Sequence, residues 1–454
     1  MKAVLPSVII IGLTIWLSAC SNTSTHPITA SAPLSTSAES AILSADQQFE
    51  KLLDEHWNWH TSQNPTFATS LGIRDYDDKL SDPSLDAYDA GIARQKAFLT
   101  QFQAIDLAAL SEPNQLNHAL MVLNLGYAIE AANFGGKYML ITNRSGPHTS
   151  LTRLPSRLPF FTKADYQSYV TRLAVIPDSL KKSTDTLRSG LKAGWVQPCD
   201  PMVGYDSSIA AHIVDPTDSV FMQPFANQPA AMEQKDFDSL KATALAIIET
   251  QIMPAFNNFQ TFYNSEYAPQ CRVQVGTSSQ PGGADYYAYR TRMFTTTDMT
   301  PEQVHQTGLS EVARIRAEME DVKQQAGFEG TFAQWLAFLR TDEQFYFKTG
   351  QQRLDAAAVI GKKIDGALPQ LFTKFPRMPW GLKEIPLDIA EKTTTAYYQR
   401  PAGDGSRAGF YFVNTTKLDT RPSYELEALS LHEAVPGHHF QIALSQELDL
   451  PNFR

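Results

Sequence analysis

Apolar residues recur at three- and four-residue intervals over most of this chain, and that spacing predicts a mainly helical body. Residues 45–60 bring Phe49, Leu52, Leu53 and Trp57 onto one helical face. The clearest helix opens at Thr300-Pro301-Glu302-Gln303, where Thr300 caps, Pro301 suits the first turn and Gln303 closes a capping box. Val304, Val312, Ile315, Met319 and Val322 follow on one face, and Gly327 is placed to stop it. Thr331 to Gln334 repeats the capping pattern, and residues 351–375 read as a further long helix ended by Pro376.

Strand signals are sparse. The best is 408–414, Ala-Gly-Phe-Tyr-Phe-Val-Asn, bounded by a Gly-rich stretch and by polar residues. It reads as an edge strand able to pair with an extended peptide, with Tyr411 and Asn414 as candidate substrate-binding residues. Residues 423–447 then read as one helix, with Leu426, Leu429 and Leu431 packing inward.

The first residues alter this picture of a purely helical body. A basic start at Lys2, an apolar run over 8–17 and Leu17-Ser18-Ala19-Cys20 form a secretory leader with a lipobox. They predict a signal peptide over 1–19 and lipid attachment at Cys20, with Ser21 pointing to the periplasmic face of the outer membrane. Residues 20–44 are Ser, Thr, Ala and Pro with little to bury, and read as a tether. Residues 45–454 form the remaining, helical domain. The formal charge of −10 is spread along the chain and argues against a nucleic-acid partner. Cys199 and Cys271 are the cysteines left after Cys20, and both sit in Pro-flanked polar loops. In an oxidising compartment they are candidates for a disulfide.

The chemistry concentrates in His432-Glu433-Ala434-Val435-Pro436-Gly437-His438-His439. A zincin His-Glu-x-x-His places two imidazoles one helical turn apart, with the glutamate beside the bound water. Here an undistorted helix fails: His432 and His439 would lie about 10 Å apart along its axis, and His432 and His438 would face different ways. Pro436 breaks the ladder opposite the His432 carbonyl and Gly437 gives freedom to turn. Omitting Pro436-Gly437 restores the zincin spacing, so a two-residue bulge predicts His432 and His438 as Zn2+ ligands. His439 is left as alternate ligand or supporting residue, and Glu433 as general base. No third protein ligand stands out: Glu447 reads as facing solvent, and Glu425 and Glu427 as surface residues.

Leu17 to Cys20, Tyr424 to Leu429 running into His432–His439 and Gln441, Gly283 to Tyr287, Thr295 to Glu311 and Phe410 to Asn414 together resemble a bacterial lipoprotein family, domain of unknown function 885. That resemblance implies a mainly α, two-lobed gluzincin-like fold similar to neurolysin and the angiotensin-converting-enzyme group, with a small β-sheet beside the metal helix. It implies zinc-dependent hydrolysis of peptides, with His432 and His438 or His439 as ligands and Glu433 as base. Its members continue into a Glu-Gly-Trp-Ala-like helix whose glutamate would be the third ligand. No Glu-Gly-Trp occurs here, so that ligand is expected beyond Arg454. The rival class is a non-catalytic envelope lipoprotein that binds metal or peptide.

Other constellations read as structural. Ser179-Leu180-Lys181-Lys182 with Lys348-Thr349-Gly350 mimics a penicillin-binding signature, but Thr349 and Gln352 form a capping box and no Ser-Asp-Asn lies between. His56 and His60 have chelating spacing, yet Trp57 and Trp59 interleave them, which suits an amphipathic helix. Tyr397-Tyr398-Gln399-Arg400 and the Gly403–Gly405 loop read as a connection with a packed aromatic pair, or as pocket lining.

Overall fold

The computed structural model describes residues 43–454 apart from 144, 391–392 and 402–406. The signal segment, Cys20, nearly all of the tether and the 403–405 loop lie outside the described residues. The body Ala45–Arg454 is mainly helical with one small mixed sheet. No helix among the described residues is long and apolar enough to cross a membrane.

Three apolar clusters organise it. In the first, helices Ala45–Gln63, Leu85–Gln103 and Glu112–Ala131 bury Phe49, Phe98, Phe102 and Leu125. Each such side chain contributes about 1.5–3 kcal/mol by leaving water. In the second, the long helix Lys163–Ala193 packs against Gln234–Ile247 and Met253–Phe262. There the hydroxyls of Tyr166 and Tyr169 donate to the carbonyls of Pro224 and Phe221, so both rings are buried without an unpaired polar tip. Cys199 and Cys271 are joined by a disulfide, and backbone hydrogen bonds pair Cys199 with Arg272 and Arg272 with Gln197 around it.

The third cluster carries the site. Strands β1 (Trp380–Glu384), β2 (Ala396–Gln399) and β3 (Gly409–Val413) run in the order β1-β3-β2. β1 pairs in parallel with β3 (Leu382 opposite Tyr411), and β2 pairs antiparallel with it (Tyr398 opposite Tyr411). Alternate residues of β3 are buried, and Tyr411 and Val413 pack with Leu426, Ala434, Val435 and Phe440 of the motif region. Tyr397 stacks on Phe412 across the β2–β3 pair, ring centroids 4.6 Å apart.

Several expectations change. The 408–414 segment is a strand, but it is the central one, with backbone groups paired on both sides; the edges are β1 and β2. Neither edge strand is visible as alternation, because Trp380-Gly381-Leu382-Lys383-Glu384 and Ala396-Tyr397-Tyr398-Gln399 are too short to establish a period. The helix expected over 351–375 is Gly350–Ala367, followed by a 3-10 turn Leu368–Gln370, because Pro369 stops the ladder before Pro376 can. Pro301–Gln325 has the predicted capping box, and Gly327 takes a positive φ at its end. No residue of that helix is buried, however, and Val312 on its apolar face is 67% exposed. Leu431 also faces outward, whereas Leu426 is fully buried.

Candidate metal centre

The stretch expected as one bulged helix is two helices, Leu426–Glu433 and His438–Gln446. Between them Ala434 (φ −101°, ψ −103°) and Gly437 (φ −67°, ψ −125°) leave helical geometry, and the Val435–Pro436 peptide is cis. Pro436 has no N–H to give the His432 carbonyl. The chain turns back instead, with Gly437 N–H donating to Leu431 O (3.0 Å) and His439 N–H to Ala434 O (3.0 Å). Only glycine fits at 437. An added Cβ would lie 2.5 Å from the Leu431 carbonyl oxygen and closer still to that of His432.

This reversal brings His432 and His438 together, with ring centroids 4.7 Å apart and planes at 82°. One donor atom from each of His432, Glu433 and His438 lies within 4.8 Å of the other two. His438 Nε2 is 3.9 Å from Glu433 Oε2. Tetrahedral zinc at ~2.1 Å sets its ligand atoms about 3.4 Å apart, a gap that small side-chain rotations cover. Two imidazoles are ordinary zinc donors, and the carboxylate beside them is placed either to complete the donor set or to act on water as a base. Glu433 is 8% exposed, His438 half-buried and His432 open to solvent, so the carboxylate forms the floor of the group. The residues therefore fit the ion.

His439 is placed elsewhere. It is 2% exposed, and both ring nitrogens are engaged. Nε2 lies 3.0 Å from the Met378 carbonyl, which can only accept, so Nε2 carries the proton. Nδ1 is then the acceptor for the Tyr398 hydroxyl at 2.8 Å. Burial lowers the His439 pKa and holds the ring neutral, although the Met378 hydrogen bond opposes that shift. With no free lone pair, His439 is not a ligand in this arrangement. Burial also pushes the Tyr398 phenol up to about 12, so it remains a donor at neutral pH.

The two candidate substrate residues are internal. Tyr411 is fully buried, its hydroxyl has no hydrogen-bond partner among the described residues, and burial raises its pKa. Asn414 is also buried; its amide donates to the carbonyls of Ala390 (2.6 Å) and Thr394 (3.0 Å), and its Oδ1 accepts from Thr416 N–H. Both brace the sheet and present no surface to a substrate. Glu447 does not face solvent, because it accepts from the Arg377 backbone N–H (2.6 Å) and Nε. Glu425 and Glu427 are exposed. Sequence reasoning missed Gly409 and the Met378 carbonyl. It read Tyr398 as part of a packed aromatic pair or as pocket lining, not as a partner of His439; its signal was an aromatic pair just upstream of the strongest strand.

The other constellations stay structural. Ser179 lies inside the Lys163–Ala193 helix, and Thr349 caps Gly350–Ala367 through a capping box with Gln352. His56 and His60 stack at 6.2 Å among Trp57, Trp59 and Phe98, and burial, aided by the His60 charge, lowers the His56 pKa to about 4.

A helical body with a small sheet braced against a broken His-Glu helix defines the class of protein. Residues 65–454 match the family described as bacterial protein of unknown function (DUF885), and the chain belongs to it. No curated protein matches the chain. Its structure is similar to that of a candidate lipoprotein from Colwellia psychrerythraea, with a TM-score of 0.78 and 20% identity over 88% of this chain and 73% of that one. It is also similar to a candidate lipoprotein of unknown function from Shewanella oneidensis, with a TM-score of 0.64 and 17% identity over 89% and 73%. At these identities the likeness establishes a shared fold.

Proposed function

We propose that the protein is a zinc-dependent peptidase of the cell envelope, with His432 and His438 holding the metal and Glu433 acting as general base. The observation that carries this reading is the convergence of those three side chains within 4.8 Å at a helix break. Bound there, zinc supplies Lewis-acid chemistry that makes water a nucleophile near neutral pH. The Glu433 carboxylate takes a proton at Oε2 and returns it to the leaving amine. Its near-complete burial keeps bulk water from competing for that proton. The gluzincin relationship belongs to the same proposal, supported by the His-Glu helix and the small sheet against it. So does lipid attachment at Cys20, supported by the lipobox and by the candidate-lipoprotein descriptions of both structural neighbours.

One observation favours a second reading. The Glu433 carboxylate is part of the same donor group as the two imidazoles, one donor atom of each residue lying within 4.8 Å of the others. A Glu433 that ligates the metal leaves no base, and the protein is then a metal- or peptide-binding lipoprotein. Zinc stoichiometry and peptide hydrolysis in Glu433→Gln separate the two: metal kept and hydrolysis lost supports the peptidase, whereas metal lost supports ligation.

A further inference from the structure

Among the described residues no hydrogen bond holds the His438 imidazole. Its neighbours are Glu433 Oε2 at 3.9 Å and the rings of His432 and Tyr398. Metal-bound histidines are normally oriented by a partner on the second ring nitrogen, so His438 must be placed by its backbone and by packing.

The next residue supplies the anchor. His439 sits in the first turn of the His438–Gln446 helix and donates from Nε2 to Met378 O, two residues before β1. Through Nδ1 it accepts from Tyr398 of β2. It therefore ties that helix end to both outer strands of the sheet at once. The central strand passes between these partners at Gly409, its first residue. A Cβ there would come 2.8 Å from His439 Nδ1 and would overlap the Tyr398 hydroxyl, so the absence of a side chain makes room for the bond. The Tyr398 ring also lies nearly parallel to His438, at 19° and 6.2 Å.

Resting on the metal reading above, we infer that Tyr398 and His439, with Gly409 as their cradle, form a clamp that sets where His438 points. Tyr398 is thus a positioning residue for the second ligand. Its hydroxyl fixes His439, His439 fixes the helix start, and the helix start fixes His438.

Tyr398→Phe removes the hydroxyl and keeps the ring. The full chain, metal-free and 15N-labelled at histidine, is followed by NMR and then titrated with Zn2+ alone and with Co2+ alone. The expected results are about a tenfold loss of zinc affinity, an altered Co2+ absorption spectrum and shifted His438 ring resonances before metal is added. Resonances of His305, on the Pro301–Gln325 helix, should hold as a control. Wild-type affinity together with unmoved His438 resonances would overturn the clamp. If the wild-type protein takes up no zinc, the metal reading fails separately, and the metal-free resonances still decide. Shifted resonances keep the clamp, and unmoved ones end it.

Discussion

The Cα of Gly437 packs against the main-chain carbonyl of His432, and there is no space between them for a methyl group. This contact is what closes the loop between the two helices. A backbone carbonyl cannot swing aside as a side chain can, so any residue with a Cβ at 437 must push the second helix away from the first.

Gly437→Ala is therefore expected to separate His432 from His438 while leaving most of the body folded. Overpacking of this kind costs about 1–3 kcal/mol. Zinc affinity should fall at least a hundredfold in a chelator-competition assay. An alanine variant with wild-type affinity would show that the loop relaxes without moving the ligands.

The two adjacent histidines should separate cleanly on mutation. His438→Ala should abolish zinc binding with little change in thermal stability. His439→Ala instead leaves the Tyr398 hydroxyl and the Met378 carbonyl without their partner, at about 1–3 kcal/mol for each buried unpaired group. Melting curves and metal content measured on both variants check this. Equal stability loss in the two would mean that the ligand and anchor roles are not divided this way.

The backbone distortion within the His432–His439 stretch was legible in the residue order, and the reason is local. Pro436 cannot donate to the His432 carbonyl, so a distortion between the histidines follows from covalent structure, but that it ends one helix and starts another does not. The clamp was not legible, because Tyr398, Gly409 and Met378 meet His439 only through the pairing of three short strands. Tyr411 shows the same limit from the other side. Its place on a good strand near the motif suggested contact with substrate, but strand order buries it. The helices with capping boxes at Thr300, Thr331 and Thr349 were readable, since caps are local hydrogen bonds. The lack of burial along Pro301–Gln325 was not, since amphipathic spacing says which residues share a face and not what covers it.

Acid should weaken the fold through its buried histidines. His148 is wholly buried beside Tyr205, His212 and Phe259, and burial, with a smaller contribution from the His212 charge, lowers its pKa from 6.5 to about 4. In the unfolded chain it protonates near 6.5, so between those values the unfolded state binds more protons. Stability is then full above about pH 6.5 and falls as pH drops toward 4, by on the order of 2–3 kcal/mol for this group. Urea titrations from pH 7 to pH 4.5 should show that slope. His148→Gln, which keeps a donor for Ser208, should flatten it.

The Cys199–Cys271 bond closes a loop of 72 residues in sequence separation. Loop-closure entropy assigns such a cross-link about 4 kcal/mol. The double variant Cys199→Ser/Cys271→Ser should unfold at correspondingly lower denaturant and leave zinc affinity unchanged, because both cysteines belong to the part of the chain organised around the second apolar cluster. A parallel loss of metal binding would reveal coupling between that region and the sheet.

On the proposed zinc reading, dividing the two imidazoles between separate helices gives the centre a property that a single-helix site lacks. Within one helix, ligand spacing is fixed by the pitch and survives as long as the helix does. Here it depends on the angle between two rods joined by a four-residue elbow. Metal affinity then reads out the posture of the second helix, and anything that tilts that helix can tune the centre without touching a ligand.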